Sequence, residues 1–256
     1  MTHDPRGPRP APSGDWCSRL DAGGTLQLFC FPHAGATSHV FRSWARRLPP
    51  HVDLWGVHPP GRGQRIREQP FRRIEPLVEA LAASLPIDAD RPFALFGHSI
   101  GALVAFETAR CLRRTRGIAP RHLFASGYPA PHQPPRRQPL HDAPRDVLIR
   151  ALERYEGIPP DLLTHAELMD LLLPAVRADF ELSETYVYRQ GDALPCGITC
   201  FGGHEDAEAT PEELRGWAVH TTSSFELHIL EGNHFFPFQS AGFLPLFETA
   251  LRTLDV

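Results

Sequence analysis

The sequence predicts an α/β fold built on a mostly parallel sheet that is flanked by helices. Short apolar runs alternate with amphipathic helical patterns along most of the 256 residues, and this alternation implies right-handed crossovers between parallel strands. Several runs are apolar at almost every position, which is typical of strands covered on both faces. Because the length is what one large α/β domain uses, we expect a single domain over residues 16–256.

Six apolar runs are predicted as strands, and four intervening stretches carry apolar residues at helical spacing. The predicted strands are Leu26–Phe31, Val52–Val57, Phe93–Gly97, His122–Ser126, Ile198–Gly202 and Phe225–Leu230. The predicted helices lie within Val40–Leu48, Ile74–Leu85, Ile100–Leu112 and Phe243–Leu254. Before them, residues 1–15 are rich in proline, glycine and charge, which predicts a disordered tail.

The region of about residues 130–189 interrupts this alternation, because it contains no predicted strand. A proline-rich passage is followed by helical patterns near Asp146–Tyr155, Pro159–Leu163 and Glu167–Tyr188. Ligand sites of open α/β sheets lie at the carboxyl ends of the strands, so a helical insertion at this place predicts a lid over the site. The alternative is a helical layer that has no gating role.

The charged residues exclude several kinds of function. The formal net charge of −4 disfavours a nucleic-acid binder that works through bulk positive charge. All 26 basic residues are arginine, which excludes a lysine Schiff base, a lysine general base and a P-loop lysine. The remaining chemistry must come from serine, cysteine, histidine, carboxylates and backbone groups.

The cysteines and histidines do not predict a metal or a cofactor. The five cysteines include no C-x-x-C pair, and the 14 histidines include no pair at ligand spacing within one element. His204 beside Glu205 and Asp206 is the one candidate cluster, and it lacks a second histidine. No signal peptide or run of roughly 18 apolar residues is visible, so we expect a cytoplasmic chain, without a membrane partner and monomeric by default.

The strongest chemical signal is the run Gly97-His98-Ser99-Ile100-Gly101, a G-x-S-x-G motif. It follows an apolar run and precedes a helical pattern, which is the context in which such a serine acts as a nucleophile. Flanking glycines allow strand and helix to approach closely, and the serine would lie at the positive end of the helix dipole. The alternative is a tight turn whose serine has no catalytic use.

A serine nucleophile needs a base, and the chain offers a histidine directly after the last predicted strand. His234 lies in a glycine-containing turn flanked by aromatic residues, and it is the candidate base. The alternative is a histidine that caps the following helix. Asp206, after the preceding strand, is the candidate acid that fixes the imidazole tautomer. The weaker candidates for this acid are Glu205, Asp192 and Asp179.

Two backbone N–H groups are expected to stabilise the oxyanion of a tetrahedral intermediate. One is the amide of Ile100, directly after the serine. The other would come from the small-residue loop Pro32–Ala36, with the Ala34 amide as the candidate donor. The alternative is a simple glycine turn into the helix that follows.

In order from about Trp16 to Leu254, the chain resembles the type II thioesterases, stand-alone α/β-hydrolases that accompany polyketide synthases and nonribosomal peptide synthetases. Six segments carry the resemblance: FCFPHAGATSHVFRSWARRL, GVHPPGRGQR, FALFGHSIGALVAFETA, SGYPAP, LPAVRADFELSETYVY and CFGGHEDAEATPEELRGWAVHTTSSFELHILEGNHFF. The resemblance implies an α/β-hydrolase fold with a flexible lid. It also implies hydrolysis of acyl or aminoacyl thioesters from the phosphopantetheine arm of carrier proteins, as an editing step that clears stalled or misprimed chains.

By matching motifs, Ser99, Asp206 and His234 correspond to the family triad, and Ala34 and Ile100 correspond to its oxyanion donors. The helical insertion corresponds to the family lid. No cofactor or metal is implied for this reaction.

Four positions depart from the family pattern without removing a catalytic group. Ile100 stands where methionine is common, and Ala36 replaces the second glycine of Ala-Gly-Gly. Asn233 replaces a glycine before the candidate base, and asparagine tolerates the left-handed conformation. His58 with its following proline replaces Gln-Leu in a segment expected to line the substrate mouth.

The preferred function is therefore an editing thioesterase, and the enzymatic alternative is a carboxylesterase or lipase acting on small oxygen esters. A chain-terminating or cyclising thioesterase is usually fused to a synthase, and a non-catalytic binding module has no need of a complete Ser–Asp–His set. The expected partner is an acidic carrier protein that arginines steer towards the lid. The candidate arginines are Arg62, Arg65, Arg67, Arg72, Arg73, Arg136 and Arg137; the alternative is that they are merely solvated.

Overall fold

A seven-stranded sheet forms the centre of the structure, a computed structural model that describes residues 16–134, 138–155 and 164–254. Numbered along the chain, the strands are β1 (Cys17–Arg19), β2 (Leu26–Phe31), β3 (Val52–Val57), β4 (Phe93–His98), β5 (His122–Ser126), β6 (Gly197–Gly203) and β7 (Phe225–Leu230). Their order across the sheet is β1-β3-β2-β4-β5-β6-β7. Every neighbouring pair is parallel except β1 with β3, which confirms the predicted fold class.

All six predicted strands form, and β4 and β6 extend slightly beyond their predicted ends. The edge strand β1 is absent from the prediction. It pairs antiparallel with β3, with Cys17 opposite Val57. Three residues are too short a run to show the alternation of a strand, so the pattern contains no signal for it.

Helices cover both faces of the sheet. The described α-helices are α1 (Ile74–Ser84), α2 (Ile100–Arg116), α3 (Arg145–Tyr155), α4 (Ala166–Glu184), α5 (Pro211–Arg215), α6 (Phe236–Gln239) and α7 (Phe243–Arg252). Short 3₁₀ helices span Ser38–Trp44, Gly63–Arg65 and Gly216–His220. In the ranges that the structure describes, no helix is both long and apolar enough to cross a membrane.

Alternate residues of the central strands enter two different cores. Phe29 and Phe31 of β2 pack in the core that contains residues of α1 and α2. Leu28 and Cys30 of the same strand pack in the core that contains residues of α7. Because both faces are covered, all six residues of β2 are buried, and this explains why the strand reads as a continuous apolar run.

The stretch after β2 differs from its prediction. It forms a 3₁₀ helix, Ser38–Trp44, in place of the amphipathic helix expected over Val40–Leu48. Arg46 has φ 67°, a left-handed conformation that ends the helical path soon afterwards. The expected apolar face is nevertheless buried at Phe41 and Trp44.

Helices α3 and α4 lie between β5 and β6 in the chain and form a small core of their own. This core consists of Leu148, Leu152, Met169, Leu173 and Val176. Two of the three helical patterns expected in the insertion therefore form helices. The third, Pro159–Leu163, lies outside the described residues, as does the expected tail of residues 1–15.

Candidate active site

The turn between β4 and α2 holds Ser99 in a strained backbone conformation. Strand β4 ends at His98, helix α2 begins at Ile100, and Ser99 between them has φ 54° and ψ −132°. A positive φ is uncommon for a residue with a β-carbon, and such residues cluster at functional sites. The serine consequently lies at the N-terminus of α2, where the helix dipole favours negative charge.

The close approach of strand and helix requires the glycines on both sides of Ser99. A β-carbon at Gly97 would lie 2.1 Å from the carbonyl oxygen of Gly101. A β-carbon at Gly101 would lie 2.3 Å from the carbonyl oxygen of Phe31, at the end of β2. Since both separations are far shorter than van der Waals contact, the two glycines bring the serine turn against the loop that follows β2.

The turns after β6 and β7 are bonded to each other. The Glu205 amide donates a hydrogen bond of 3.0 Å to the Gly232 carbonyl. A β-carbon at Gly203 would lie 2.5 Å from the same carbonyl oxygen. This pairing brings Asp206 and His234, which follow the two strands, next to each other.

Asp206 and His234 form a buried hydrogen-bonded pair. Nδ1 of His234 lies 3.1 and 3.0 Å from the two carboxylate oxygens of Asp206, and both residues are less than a tenth exposed. A carboxylate at Nδ1 holds a proton there and leaves Nε2 as the atom that can accept one. The amide of Glu208 donates to Oδ1 of Asp206 at 2.8 Å, which fixes the orientation of the carboxylate.

The weaker acid candidates lie elsewhere. Glu205 is exposed beside the pair. Asp192 faces Arg113 on the surface, and Asp179 forms an ion pair with Arg62. Across the described part of the chain, no three His, Cys, Asp or Glu side chains are grouped so that they could hold a metal ion.

One cavity of about 750 Å³ contains the predicted nucleophile, base and oxyanion donors, since Ser99, His234, Ala34 and Ile100 all line it. The helices of the insertion contribute Leu152, Tyr155, Leu172, Val176 and Phe180 to its wall. Among the described residues, the His234 ring is hydrogen-bonded to Asp206 and not to Ser99. Catalytic hydrogen bonds are often long before substrate binds.

A larger cavity of about 1070 Å³ lies at the opposite edge of the sheet. Phe93, His122 and Gly197, at the amino ends of β4, β5 and β6, line it. It contains none of the predicted site residues, and sites of α/β sheets form at the carboxyl ends of the strands.

The loop after β2 forms a tight turn over His33–Ala36, closed by a 3.1 Å hydrogen bond from its last amide to its first carbonyl. Gly35 has φ 72°, the left-handed conformation that the third residue of a type II turn requires. The turn carries the Ala34 amide beside the cavity. The Ile100 amide belongs to the first turn of α2, where N–H groups have no partner within the helix, so both predicted donors lie next to the serine turn.

Two further histidines near the base are held neutral. The pKa of His33 is lowered to about 3, mainly by burial and to a smaller extent by the positive charges that a protonated His234 and Arg62 place nearby. Burial also lowers the pKa of His98 well below its usual value, with the same direction from His234 and His33. Nδ1 of His98 forms a hydrogen bond of 3.0 Å with the hydroxyl of Ser126. The ring centre of His98 lies 5.0 Å from the ring centre of His234. The candidate base, His234, therefore packs against an uncharged ring.

A second serine–histidine contact lies away from this cavity. Ser38 Oγ is 3.1 Å from Nδ1 of His58, and Nε2 of His58 is 2.9 Å from Ser18 Oγ. Ser38 is fully buried, and none of the three residues lines the cavity. No residue of 56–65, the segment expected to line the substrate mouth, lines this cavity.

A network of hydrogen bonds that has no signal in the sequence joins the insertion to the His33–Ala36 turn. The Gly35 amide donates to Asp179 of α4, and Asp179 is bound by Arg62. Arg62 and Asp179 are 117 positions apart, and no periodicity or motif spacing connects them. Arg62 and Arg65 are also buried, so two of the seven arginines expected to steer a partner do not face solvent.

Comparison with known proteins identifies the family. A family model described as a thioesterase domain matches residues 26–253. The chain belongs to the thioesterase family. The predicted resemblance to this family is confirmed.

This thioesterase has relatives in biosynthetic pathways. It is 39% identical to the linear gramicidin dehydrogenase LgrE of Brevibacillus parabrevis, over 85% of this chain and 84% of LgrE. The structure of RedJ, a thioesterase from the prodiginine pathway of Streptomyces coelicolor, matches with 39% identity and a TM-score of 0.81, over 97% of this chain and 91% of RedJ. The structure of BorB, the type II thioesterase of the borrelidin biosynthetic cluster, matches with 33% identity and a TM-score of 0.84. The match covers 94% of this chain and 99% of BorB.

The contact between Gly97 and Gly101 predicts a large cost for a methyl group at the serine turn. Gly97→Ala should lower the free energy of unfolding by about 3 kcal/mol or more, because the added carbon overlaps a backbone oxygen. Gly117→Ala is the matched control: Gly117 has φ 67° and open space around it, so strain alone should cost about 1–2 kcal/mol. Urea denaturation measures both, and equal losses would contradict the packing argument.

The neutral state of His33 predicts a loss of stability in acid. Between the ordinary pKa of 6.5 and the folded value of about 3, the unfolded chain binds a proton that the folded chain does not, so stability falls as the pH falls. His33→Phe should reduce the difference in free energy of unfolding between pH 7 and pH 5 by about 1–2 kcal/mol. The exposed His39→Phe is the control; if both variants keep the wild-type pH dependence, the assignment fails.

Proposed function

We propose that this thioesterase hydrolyses acyl and aminoacyl thioesters on the phosphopantetheine arm of carrier proteins, with Ser99 as nucleophile, His234 as general base and Asp206 as its orienting acid. The observation that carries the proposal is the buried Asp206–His234 pair, whose histidine lines the same cavity as Ser99 in a chain of the thioesterase family. The relatives RedJ and BorB are thioesterases of biosynthetic pathways, which supports an editing role.

In the first half-reaction, Oγ of Ser99 attacks the thioester carbonyl carbon while Nε2 of His234 takes the hydroxyl proton. The carbonyl oxygen becomes an oxyanion that accepts hydrogen bonds from the amides of Ala34 and Ile100. Asp206 stabilises the imidazolium through Nδ1. When the tetrahedral intermediate collapses, the carbon–sulfur bond breaks, His234 returns its proton to the leaving sulfur, and the phosphopantetheine thiol departs.

In the second half-reaction, water attacks the acyl-serine carbonyl carbon, and His234 takes one of its protons. The same two amides hold the new oxyanion. Collapse breaks the ester bond, and the imidazolium gives its proton to Oγ of Ser99. The products are a free carboxylic acid and the regenerated enzyme.

The name of LgrE contains the word dehydrogenase, and this activity is not part of the proposal. A G-x-G-x-x-G run after a strand is the signature of dinucleotide binding, and the 256 residues contain none. The serine turn and the Asp206–His234 pair supply what hydrolysis requires.

We also propose that residues 16–256 act as one monomeric catalytic domain, with residues 130–189 as its lid and no nucleic-acid or membrane partner. The acidic carrier protein would dock beside the lid at the exposed Arg67, Arg72 and Arg73. Arg72 and Arg73 each lie 2.6 Å from Glu181 of α4, which leaves one positive charge in excess against the lid helix. Arg136 and Arg137 lie outside the described residues.

Replacing the nucleophile tests the chemistry. Ser99→Ala should lower turnover of an acyl carrier protein thioester by a factor on the order of 10⁴–10⁶, measured as release of the carrier thiol. A fluorophosphonate probe should label the wild type and not this variant. Near-normal hydrolysis by Ser99→Ala would refute the assignment, and a preference for p-nitrophenyl esters over a panel of acyl and aminoacyl carriers would favour the esterase alternative.

Removing the docking charges tests the partner surface. The double variant Arg72→Ala/Arg73→Ala should lower kcat/KM for an acyl carrier protein several-fold at low salt, and the difference should shrink at about 0.5 M salt because charges are then screened. Hydrolysis of a small N-acetylcysteamine thioester should not change. Arg252→Ala, an exposed arginine paired with Glu248 on α7, is the control. A wild-type rate on the carrier that does not depend on ionic strength would contradict this surface.

A further inference from the structure

A single carboxylate of the insertion holds the turn that presents the Ala34 amide. The Gly35 amide donates a 2.8 Å hydrogen bond to Oδ2 of Asp179, which lies in α4 and 144 positions further along the chain. Val176, one helical turn earlier, packs on the same glycine, because its Cγ2 would lie 2.7 Å from a β-carbon there. Helix α4 thus contacts the oxyanion turn at one residue in two ways.

Arg62 balances the charge of this carboxylate and fixes its orientation. Nη1 of Arg62 lies 2.5 Å from Oδ2 of Asp179, and Nη2 lies 2.8 Å from Oδ1. Both residues are less than a tenth exposed, and a two-pronged pairing of guanidinium and carboxylate is geometrically specific. An unbalanced carboxylate beside the oxyanion turn would oppose the negative charge that develops there during attack; the ion pair removes that opposition.

The hydrogen bond to Asp179 selects one of two orientations of the Ala34–Gly35 peptide. Type I and type II turns differ by a flip of their central peptide, and here that peptide carries the carbonyl of Ala34 and the amide of Gly35. A flip would turn the Gly35 N–H away from Asp179 and place the Ala34 carbonyl towards that carboxylate. The Ala34 N–H belongs to the preceding peptide, so the bond to Asp179 acts on it through the conformation of the whole turn. With its N–H bonded to the carboxylate, the peptide is held in the orientation that keeps the turn preorganised.

We propose that Asp179 is a positioning residue of the reaction, which locks the His33–Ala36 turn so that the Ala34 amide is aimed at the oxyanion. The inference rests on the proposed function. It makes the geometry of the oxyanion site depend on the position of helix α4, whose residues Leu172, Val176 and Phe180 line the cavity that contains Ser99. Asp179 acts through the turn and does not touch the reacting atoms.

The experiment compares Asp179→Ala and Asp179→Asn with a matched buried acid. Asp53→Asn is the control, since Asp53 is fully buried and paired with Arg19 and Arg91 but does not line the cavity. On an acyl N-acetylcysteamine thioester, Asp179→Ala should lower kcat about 10- to 100-fold with KM within about 3-fold, because transition-state stabilisation is lost and ground-state binding is not. Asp179→Asn keeps one acceptor oxygen and should fall between this variant and the wild type.

A second measurement separates positioning from a purely structural role. A trifluoromethyl ketone analogue forms a tetrahedral adduct with the serine and should bind Asp179→Ala more weakly by about the factor lost in kcat. A non-hydrolysable thioether analogue should bind it as it binds the wild type.

Three results would overturn the inference. One is an unchanged kcat in Asp179→Ala, a second is a rise in KM alone, and a third is an equal loss in the Asp53→Asn control. If Asp179→Ala does not fold, the near-isosteric Asp179→Asn decides by the same kcat and KM readouts. Loss of activity in Ser99→Ala together with normal activity in the Asp179 variants would refute this inference alone, whereas full activity in Ser99→Ala would refute the proposed function.

Discussion

The contact between β4 and α2 at Ser99 is the constraint on which the rest of the site depends. The chain reverses there within a few atoms, and only glycine at Gly97 and Gly101 leaves room for the backbone oxygens that face them. The positive φ of Ser99 stores strain of about 1–3 kcal/mol. The fully buried strand β4 and the buried face of α2 hold this turn in place. Because Gly101 also lies against the end of β2, the same contact places the His33–Ala36 turn beside Ser99, the proposed nucleophile.

Several charges at the site are paired or suppressed before reaction, and the carboxylate of Asp206 is an exception, because a His234 that can accept a proton at Nε2 is itself neutral. Asp206 is joined to His234, Asp179 is joined to Arg62, and His33 and His98 are uncharged. In the proposed mechanism, charge then develops on the substrate oxygen and on the imidazole, where backbone dipoles and a carboxylate are already directed. A site of low polarity strengthens these interactions because water does not screen them.

Much of the fold could be predicted from the sequence, since a strand covered on both faces must be apolar throughout, as in Leu26–Phe31. The candidate triad could be named for a related reason: Ser99, Asp206 and His234 each follow the carboxyl end of a strand. The strand Cys17–Arg19 is too short for any pattern. The pairing of Arg62 with Asp179 is purely tertiary, and an arginine in the sequence looks the same whether its guanidinium is solvated or buried in an ion pair.

Arginine takes the place of lysine throughout this sequence, and this has a chemical consequence. Thioesters acylate amines in water, and lysine is the side chain on which such acylation occurs, since its amine can lose its proton. Guanidinium groups stay protonated and have no free electron pair to offer. With no lysine in its sequence, this protein can present positive charge at Arg72 and Arg73, next to the insertion, without offering an activated acyl group any side-chain amine to modify.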